Sequence, residues 1–221
     1  MNFLKPTIII SLAFAASATA ADEDGSAIVE RWLDAGSPVS ALRVEFTQTR
    51  KLKTIKLPIV KKGTLWIDYA KDRFRWQTGD PPQTIVVRVA DELTVIRTPG
   101  KKFERRDLGD NAGDAQPHAL MALAGGFPRS VEAFNRDYRL IEANREGETF
   151  RLITQPLGAR GKGVEHFIFL IDAEQHRLRG FEIQLEDGSS ISTSFDAVET
   201  EPSLTDELFV PDLTNYRETQ F

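Results

Sequence analysis

The sequence predicts an α+β protein built mainly of antiparallel strands, about ten or eleven in all. Three observations support this class. Residues 42–96 contain successive short runs in which apolar residues occupy every second position, as on the apolar face of a strand. Most gaps between these runs are shorter than the dozen or more residues of a parallel crossover, so neighbouring strands are expected to be antiparallel. Few other stretches have the spacing of an amphipathic helix.

The first twenty residues have the layout of a secretory signal peptide. Lys5 supplies a positive charge, residues 8–16 form an apolar core, and Ala18-Thr19-Ala20 is a small-residue cleavage site. The apolar run is shorter than the ~20 residues that span a bilayer, which argues against a membrane anchor. We therefore expect residues 1–20 to be removed, leaving one soluble domain over residues 21–221 in an extracytoplasmic space, most simply the periplasm.

Composition favours a binding protein over an enzyme. The chain has no cysteine and only three histidines, without the short spacing of metal ligands. It also lacks the familiar nucleophile, phosphate-loop and metalloprotease motifs. The formal net charge of −5 argues against nucleic acid as a partner. We therefore expect a monomer with no catalytic residues, no cofactor and no metal.

The first elements are a helix and a strand. In residues 26–35, Ile28, Trp32 and Ala35 form one apolar stripe, with Gly36 where the helix would end. Pro38 then separates this helix from a strand that begins near Leu42. The helix offers an apolar face that has to pack on the sheet.

Residues 50–62, between the first two predicted strands, are basic with interleaved aliphatic residues. The lysines are Lys51, Lys53, Lys56, Lys61 and Lys62. One interpretation is a contact surface for anionic lipid head groups or for an acidic partner protein. The other, more ordinary one is a hairpin arm in which Leu52, Ile55, Leu57 and Ile59 pack down while the lysines keep a strand edge soluble.

The second half of the chain predicts two short helices and further hairpins. Residues 117–124, which begin with a proline and are followed by two glycines, predict an almost wholly apolar helix that would need an apolar surface to lie on. Residues 127–134 predict a second short helix or turn. Strands then follow near residues 138–142, 150–154, 164–171, 178–185 and 190–195, with a last turn near residues 205–209.

Five short motifs occur in a characteristic order. They are Val44-Glu45-Phe46-Thr47-Gln48, Gly63-Thr64-Leu65-Trp66-Ile67, Arg73-Phe74-Arg75-Trp76, Gln83-Thr84-Ile85-Val86-Val87 after a proline, and Phe209-Val210-Pro211. This order resembles the LolA family of periplasmic carriers of outer-membrane lipoproteins. The chain departs from the family at one place: where many members carry an Arg-Pro pair, it has Tyr69-Ala70-Lys71-Asp72.

The resemblance implies an unclosed (half) β-barrel, with short helices forming a lid over its concave apolar face. The ligand would be the acyl chains of a lipoprotein or another lipid, received from an inner-membrane releasing complex and handed to an outer-membrane acceptor. The residues expected to line the cavity are Phe46, Leu65, Ile67, Phe74, Trp76, Ile85 and Val87. Those expected to close it are Leu120, Met121 and Leu123.

Periodicity alone leaves the interior undecided, because the same apolar residues would line a cavity or fill a core. Two further functions also stay open. One is a carrier of a different lipid or glycolipid. The other is a half-barrel sensor that binds a lipid or lipoprotein and acts through protein contacts, using the basic residues 50–62.

Overall fold

The computed structural model describes residues 24–36, 39–108 and 127–219. These residues form two α-helices and one twelve-stranded sheet. The helices are α1 Gly25–Gly36 and α2 Val131–Asp137. The strands are β1 Ala41–Lys51, β2 Ile59–Asp68, β3 Arg73–Thr78, β4 Thr84–Val89, β5 Glu92–Arg97, β6 Lys102–Asp107, β7 Tyr138–Glu146, β8 Thr149–Pro156, β9 Val164–Asp172, β10 Leu178–Leu185, β11 Ser190–Thr200 and β12 Arg217–Glu218.

The strand order is β12-β6-β5-β4-β3-β2-β1-β11-β10-β9-β8-β7. Two antiparallel meanders, β1 to β6 and β7 to β11, are joined where β1 pairs with β11. The two-residue β12 pairs in parallel with β6 and was not predicted. Because β12 and β7 stand at opposite ends of this order, the sheet is unclosed. The predicted fold class is confirmed, with twelve strands in the described residues instead of ten or eleven.

Both helices pack on one face of the sheet, which we call the inner face. Helix α1 buries Ile28 and Trp32 of the predicted stripe together with Val29 and Leu33 beside it, while Ala35 is half-buried. Its start lies so close to β7 that a Cβ on Gly25 would come within 2.8 Å of Leu140 and Ala143, which explains the glycine there. Helix α2 begins at Ser130, whose Oγ accepts a hydrogen bond from the backbone N–H of Ala133 at 3.1 Å.

Aromatic side chains fill the space between the helices and the second meander. The ring centroid of Phe169 lies 4.8 Å from that of Trp32, 5.9 Å from Phe134 and 5.1 Å from Tyr138. Phe167 and Phe181 stack at 5.4 Å. All of these side chains are buried. Aromatic burial on this scale makes this region the main core of the molecule.

A smaller apolar cluster lies on the opposite face, which we call the outer face. The 3₁₀ turn Asp206–Phe209, where a last turn was predicted, crosses β3 and β4 and buries Phe209. Arg73 holds it there: its guanidinium stacks 4.2 Å from the Phe209 ring centroid and pairs with Asp68 at 2.9 Å and Asp206 at 2.7 Å. Arg75 adds a hydrogen bond from Nη1 to the carbonyl oxygen of Leu208 at 3.1 Å. The C-terminal segment therefore covers the outer face of the first meander.

Candidate functional site

Two adjoining cavities lie on the inner face of the sheet. The larger, of about 590 Å³, lies between strands β1 to β5 and the segment that leads into α2. The smaller, of about 400 Å³, lies between the end of α1 and strands β1, β2, β10 and β11. Both volumes fall in the range of roughly 300 to 1,000 Å³ that is usual for pockets that bind small molecules.

Strand register aligns an apolar row along the two cavities, with Val44 lining the smaller one and the other members lining the larger one. Paired positions form one row across five neighbouring strands, from β1 to β5: Val44, Leu65, Trp76, Val86 and Val95. All five side chains are buried. Because alternate residues of a strand point to the same face, their neighbours two positions away complete the inner face on either side of this row.

Phe46 supports this row by packing against the ring of Trp76 on the inner face. Its ring centroid lies 4.0 Å from that of Trp76, and the side chain is only 1% exposed. Gly63, the partner of Phe46 on β2, makes room for the ring. A Cβ at Gly63 would lie 2.3 Å from Cζ of Phe46 and 2.3 Å from the carbonyl oxygen of Gln77, so a larger residue cannot be accommodated without a shift.

Two of the predicted lining residues lie on the wrong face for that role. Ile85 and Val87 pair with Gln77 and Arg75 on the outer face, beneath the C-terminal turn that ends at Phe209. Val86, between them, lines the cavity. The prediction that Ile85 and Val87 face the cavity is therefore wrong, and Val86 faces it instead. The physical reason is that Ile85-Val86-Val87 packs against apolar groups on both faces of the sheet, so alternation gives no signal there.

The other predicted residues divide into two groups. Leu65, Ile67, Phe74 and Trp76 line the larger cavity, and Phe46 lies directly behind Trp76. The predicted helix over residues 117–124, with Leu120, Met121 and Leu123, lies outside the described residues. Its part in closing the cavity stays a prediction.

A partition of six residues separates the two cavities. These residues line both: Leu65, Ile67, Tyr69, Phe127, Pro128 and Arg129. Phe127 reaches across the inner face, with its ring centroid 5.6 Å from Phe181 and 6.4 Å from Phe195. The segment 127–129 therefore lies across the middle of one larger apolar space. Its role could not be read from the sequence, which predicted only a helix or turn there.

Arg129 and Tyr69 hold the partition together. The Arg129 guanidinium lies 4.0 Å from the centroid of the Tyr69 ring, and its Nη2 donates to the carbonyl oxygen of Val39 at 2.9 Å. Burial raises the pKa of the Tyr69 phenol, while the charge of Arg129 opposes that rise. The ring therefore stays neutral at physiological pH, and the contact is a cation–π interaction. Tyr69 occupies the place where many family members carry Arg-Pro.

Polar groups flank the apolar row at both ends of the larger cavity. At one end lie Gln48, Arg50, Lys61, Thr78, Thr84 and Arg97. Lys61 Nζ donates to Oε1 of Gln83 at 2.7 Å, and Arg97 pairs with Glu104 at 2.7 Å. At the other end Arg88 pairs with Asp72 at 2.7 Å. The cavity is therefore apolar in the middle and polar at its ends, which suits an amphiphilic ligand.

The described residues offer little for other chemistry. Among them, no group of three or more His, Cys, Asp or Glu side chains is arranged to hold a metal ion. No helix in this part of the chain combines the length and apolar character needed to cross a membrane.

An unclosed antiparallel sheet with an apolar space under short helices is an architecture that can enclose an elongated apolar group. The family model described as "Outer membrane lipoprotein carrier protein LolA" matches residues 37–212. The chain therefore belongs to the LolA family, and the resemblance seen in its motifs is confirmed. No curated protein matches the chain.

Several solved structures are similar to this chain at low sequence identity. An uncharacterized conserved protein from Thermus thermophilus has a TM-score of 0.51 and 10% identity, over 87% of this chain and 96% of that one. The LolA superfamily protein NE2245 from Nitrosomonas europaea has a TM-score of 0.45 and 10% identity, over 83% and 96%. The complex of Pseudomonas aeruginosa MucA/MucB gives 0.43 and 14%, over 89% and 63%.

Proposed function

We propose that this protein is a periplasmic carrier that shields the acyl chains of lipoproteins between the inner and the outer membrane. The observation that carries the proposal is the apolar space of the two adjoining cavities, which the described residues leave unfilled, in a chain of the lipoprotein-carrier family. The action is binding and release, without a chemical step. The predicted signal peptide supports the periplasmic location.

The physics of acyl chains supports this role. Each methylene group removed from water contributes about 0.8 kcal/mol, so burying about eight of them yields roughly 6 kcal/mol. That corresponds to a dissociation constant of roughly tens of micromolar for a single chain. Such an affinity holds a ligand in transit yet permits release to a more apolar acceptor.

The family also suggests the partners. We infer that an inner-membrane releasing complex supplies the lipoprotein and that an outer-membrane acceptor takes it. The partition at Phe127 and Arg129 divides the space into two compartments, so two acyl chains of one lipid can lie on its two sides. The polar ends of the larger cavity leave the ligand's head group a hydrated exit.

The test is to purify the protein from the periplasm of a Gram-negative host and analyse it by native mass spectrometry and lipid extraction. Uptake of a fluorescent fatty acid is measured on the same samples. Two variants form a matched pair: Ile67→Glu and Ile85→Glu change half-buried isoleucines on neighbouring parts of the sheet. Ile67 lines both cavities, whereas Ile85 lies on the outer face.

We expect co-purified lipoprotein and fatty-acid uptake, lost in Ile67→Glu and kept in Ile85→Glu, with similar circular dichroism for both variants. A different bound lipid would instead identify a carrier of another lipid or glycolipid. An empty protein that also takes up no fatty acid would overturn the carrier proposal. The sensor that acts through protein contacts would then become the leading function.

A further inference from the structure

The β1–β2 hairpin carries an unusual concentration of positive charge. Residues 50–62 contain six basic residues and no acidic one, although the whole chain has a formal net charge of −5. Arg50, Lys51, Lys53, Lys56 and Lys62 are exposed. Within the described residues, the side chains of Lys51, Lys56 and Lys62 form no ion pair. This charge is therefore available to an external anionic surface.

The same hairpin exposes aliphatic side chains. The exposed fractions are 46% for Ile55, 76% for Leu57 and 58% for Val60. The ordinary interpretation of this segment required Ile55 and Leu57 to pack down, and the structure places both in solvent. Of the aliphatic side chains in residues 50–62, only Leu52 and Ile59 are half-buried. The hairpin tip therefore presents aliphatic groups between lysines, on a loop that projects beyond the paired strands.

We propose that this hairpin docks the protein on anionic lipid bilayers. Aliphatic side chains can enter the interface between head groups and acyl chains, while the long stems of the lysines let their ammonium groups reach lipid phosphates. An acidic protein partner fits less well, because the segment has no aromatic residue and protein interfaces are enriched in aromatic residues at their centres.

Docking through this hairpin places the larger cavity next to the membrane. Arg50 and Lys61 belong to the hairpin and also line one polar end of the larger cavity. That end is therefore continuous with the docking surface, so an acyl chain could pass between bilayer and cavity over a short distance. The purpose of docking rests on the proposed carrier function, whereas the docking itself can be measured on an empty protein.

The test is co-sedimentation of the purified protein with vesicles of phosphatidylethanolamine and phosphatidylglycerol, compared with neutral phosphatidylcholine vesicles. The charge variant is the triple change Lys51→Gln, Lys53→Gln and Lys56→Gln. Its control removes three exposed cationic groups from the opposite end of the sheet, none of which lines a cavity: Lys71→Gln, Arg105→Gln and Arg145→Gln. The aliphatic variant is Leu57→Ser, and its control is Val210→Ser, since Val210 is 72% exposed near the C-terminal turn.

We expect binding to the anionic vesicles that weakens with added salt. The hairpin triple variant should bind about a hundred-fold less tightly, since each lysine near an anionic surface contributes about five-fold. Leu57→Ser should also bind less tightly, while both controls bind like the unchanged protein. Equal losses in the hairpin and control variants would overturn the proposal.

Binding to neither kind of vesicle would also overturn it, leaving an acidic protein as the partner of the hairpin. Fatty-acid uptake, measured on the same samples, separates the two proposals. Normal uptake without vesicle binding contradicts docking alone. Vesicle binding without uptake contradicts the carrier function alone.

Discussion

The two meanders present similar apolar rows on the inner face but use them differently. In the second meander the paired row is Phe181, Phe169 and Leu152, and the Trp32 and Phe134 rings of the two helices cover its middle residue, Phe169. In the first meander the row through Leu65, Trp76 and Val86 borders a cavity of about 590 Å³. The second meander therefore borders a filled core, and the first meander borders a cavity.

The difference arises from side-chain size and from where the helices lie. The second meander and its helices supply large rings that reach one another across the interior, so little space remains between them. The first meander supplies mostly aliphatic groups, and the other described residues that line the larger cavity are the segment 127–137, Ile183 and Ile191. The alternatives of a filled core and a cavity are therefore both realised, in different halves of one sheet.

The largest expected effect comes from breaking the filled half. Phe169→Ala removes a side chain that is 0% exposed and contacts four other rings, so it should lower the free energy of unfolding by about 3 to 5 kcal/mol. Val86→Ala in the first meander should lower the free energy of unfolding by only about 1.5 kcal/mol, because that site already borders a cavity and loses only two carbon atoms. Urea unfolding measures both values. Equal losses would contradict the contrast between the halves.

The next largest effect is expected on ligand affinity, when a larger side chain fills the cavities. Ile67→Trp places a ring where both cavities meet. Displacing two or three methylene groups of a ligand costs about 2 kcal/mol, which is about a thirty-fold loss of affinity for a fluorescent fatty acid. The matched change Ile85→Trp on the outer face should leave the affinity unchanged. If Ile67→Trp binds the fatty acid normally, the ligand does not occupy these cavities.

Sequence reasoning predicted the class, the antiparallel order and both described helices, because alternation and amphipathic stripes report the face that each residue buries. It was wrong for β4, where the outer face is covered by Phe209, more than a hundred residues further along the chain. In a segment that is apolar on both faces, alternation does not show which residues point to which face. The unbroken run Leu93, Thr94, Val95 and Ile96, all buried in β5, is the signal that could have revealed a sheet covered on both sides.

The partition shows a second limit of sequence reasoning. Arg129 and Tyr69 are 60 positions apart, and neither belongs to a motif that indicates contact with the other. Their contact depends on the direction in which the chain leaves residue 127 and on the register of β2, both of which are tertiary properties. Alternation predicted that Tyr69 shares a face with Leu65 and Ile67, and the structure confirms that all three line the cavities.

Loosening this partition should have a moderate effect. Arg129→Ala removes the cation–π contact and the hydrogen bond to Val39, which together contribute about 1 to 2 kcal/mol to the free energy of unfolding. Tyr69→Phe should cost little, since the ring remains, whereas Tyr69→Leu should resemble Arg129→Ala. A double-mutant cycle between Arg129→Ala and Tyr69→Leu measures the coupling by urea unfolding. Additive losses would show that the stacked pair does not act as a unit.

The smallest expected effect concerns acid stability, and it distinguishes the two meanders by the source of the stabilisation. Hydrogen bonds from the side chains of Lys71 and Arg73 lower the pKa of Asp206 on the outer face of the first meander. In the second meander, the backbone N–H of Gln175 is the largest cause of the lowered pKa of Asp172. A carboxyl whose pKa is lower in the folded state stabilises the fold above its ordinary value of 3.8, and this contribution is lost as pH falls through the folded-state pKa.

We therefore expect the melting temperature to fall as pH is lowered from about 6 to about 3, and to fall less steeply in Asp206→Asn and Asp172→Asn. Added salt should reduce the contribution of Asp206, because Asp206 is 68% exposed and its partners are the charged groups of Lys71 and Arg73. The contribution of Asp172 should fall less, because the largest cause of its lowered pKa is a neutral backbone group within the same turn, although Arg179 also pairs with it at 3.0 Å. The same salt response for both variants would show that long-range charge, and not these local hydrogen bonds, sets the acid stability.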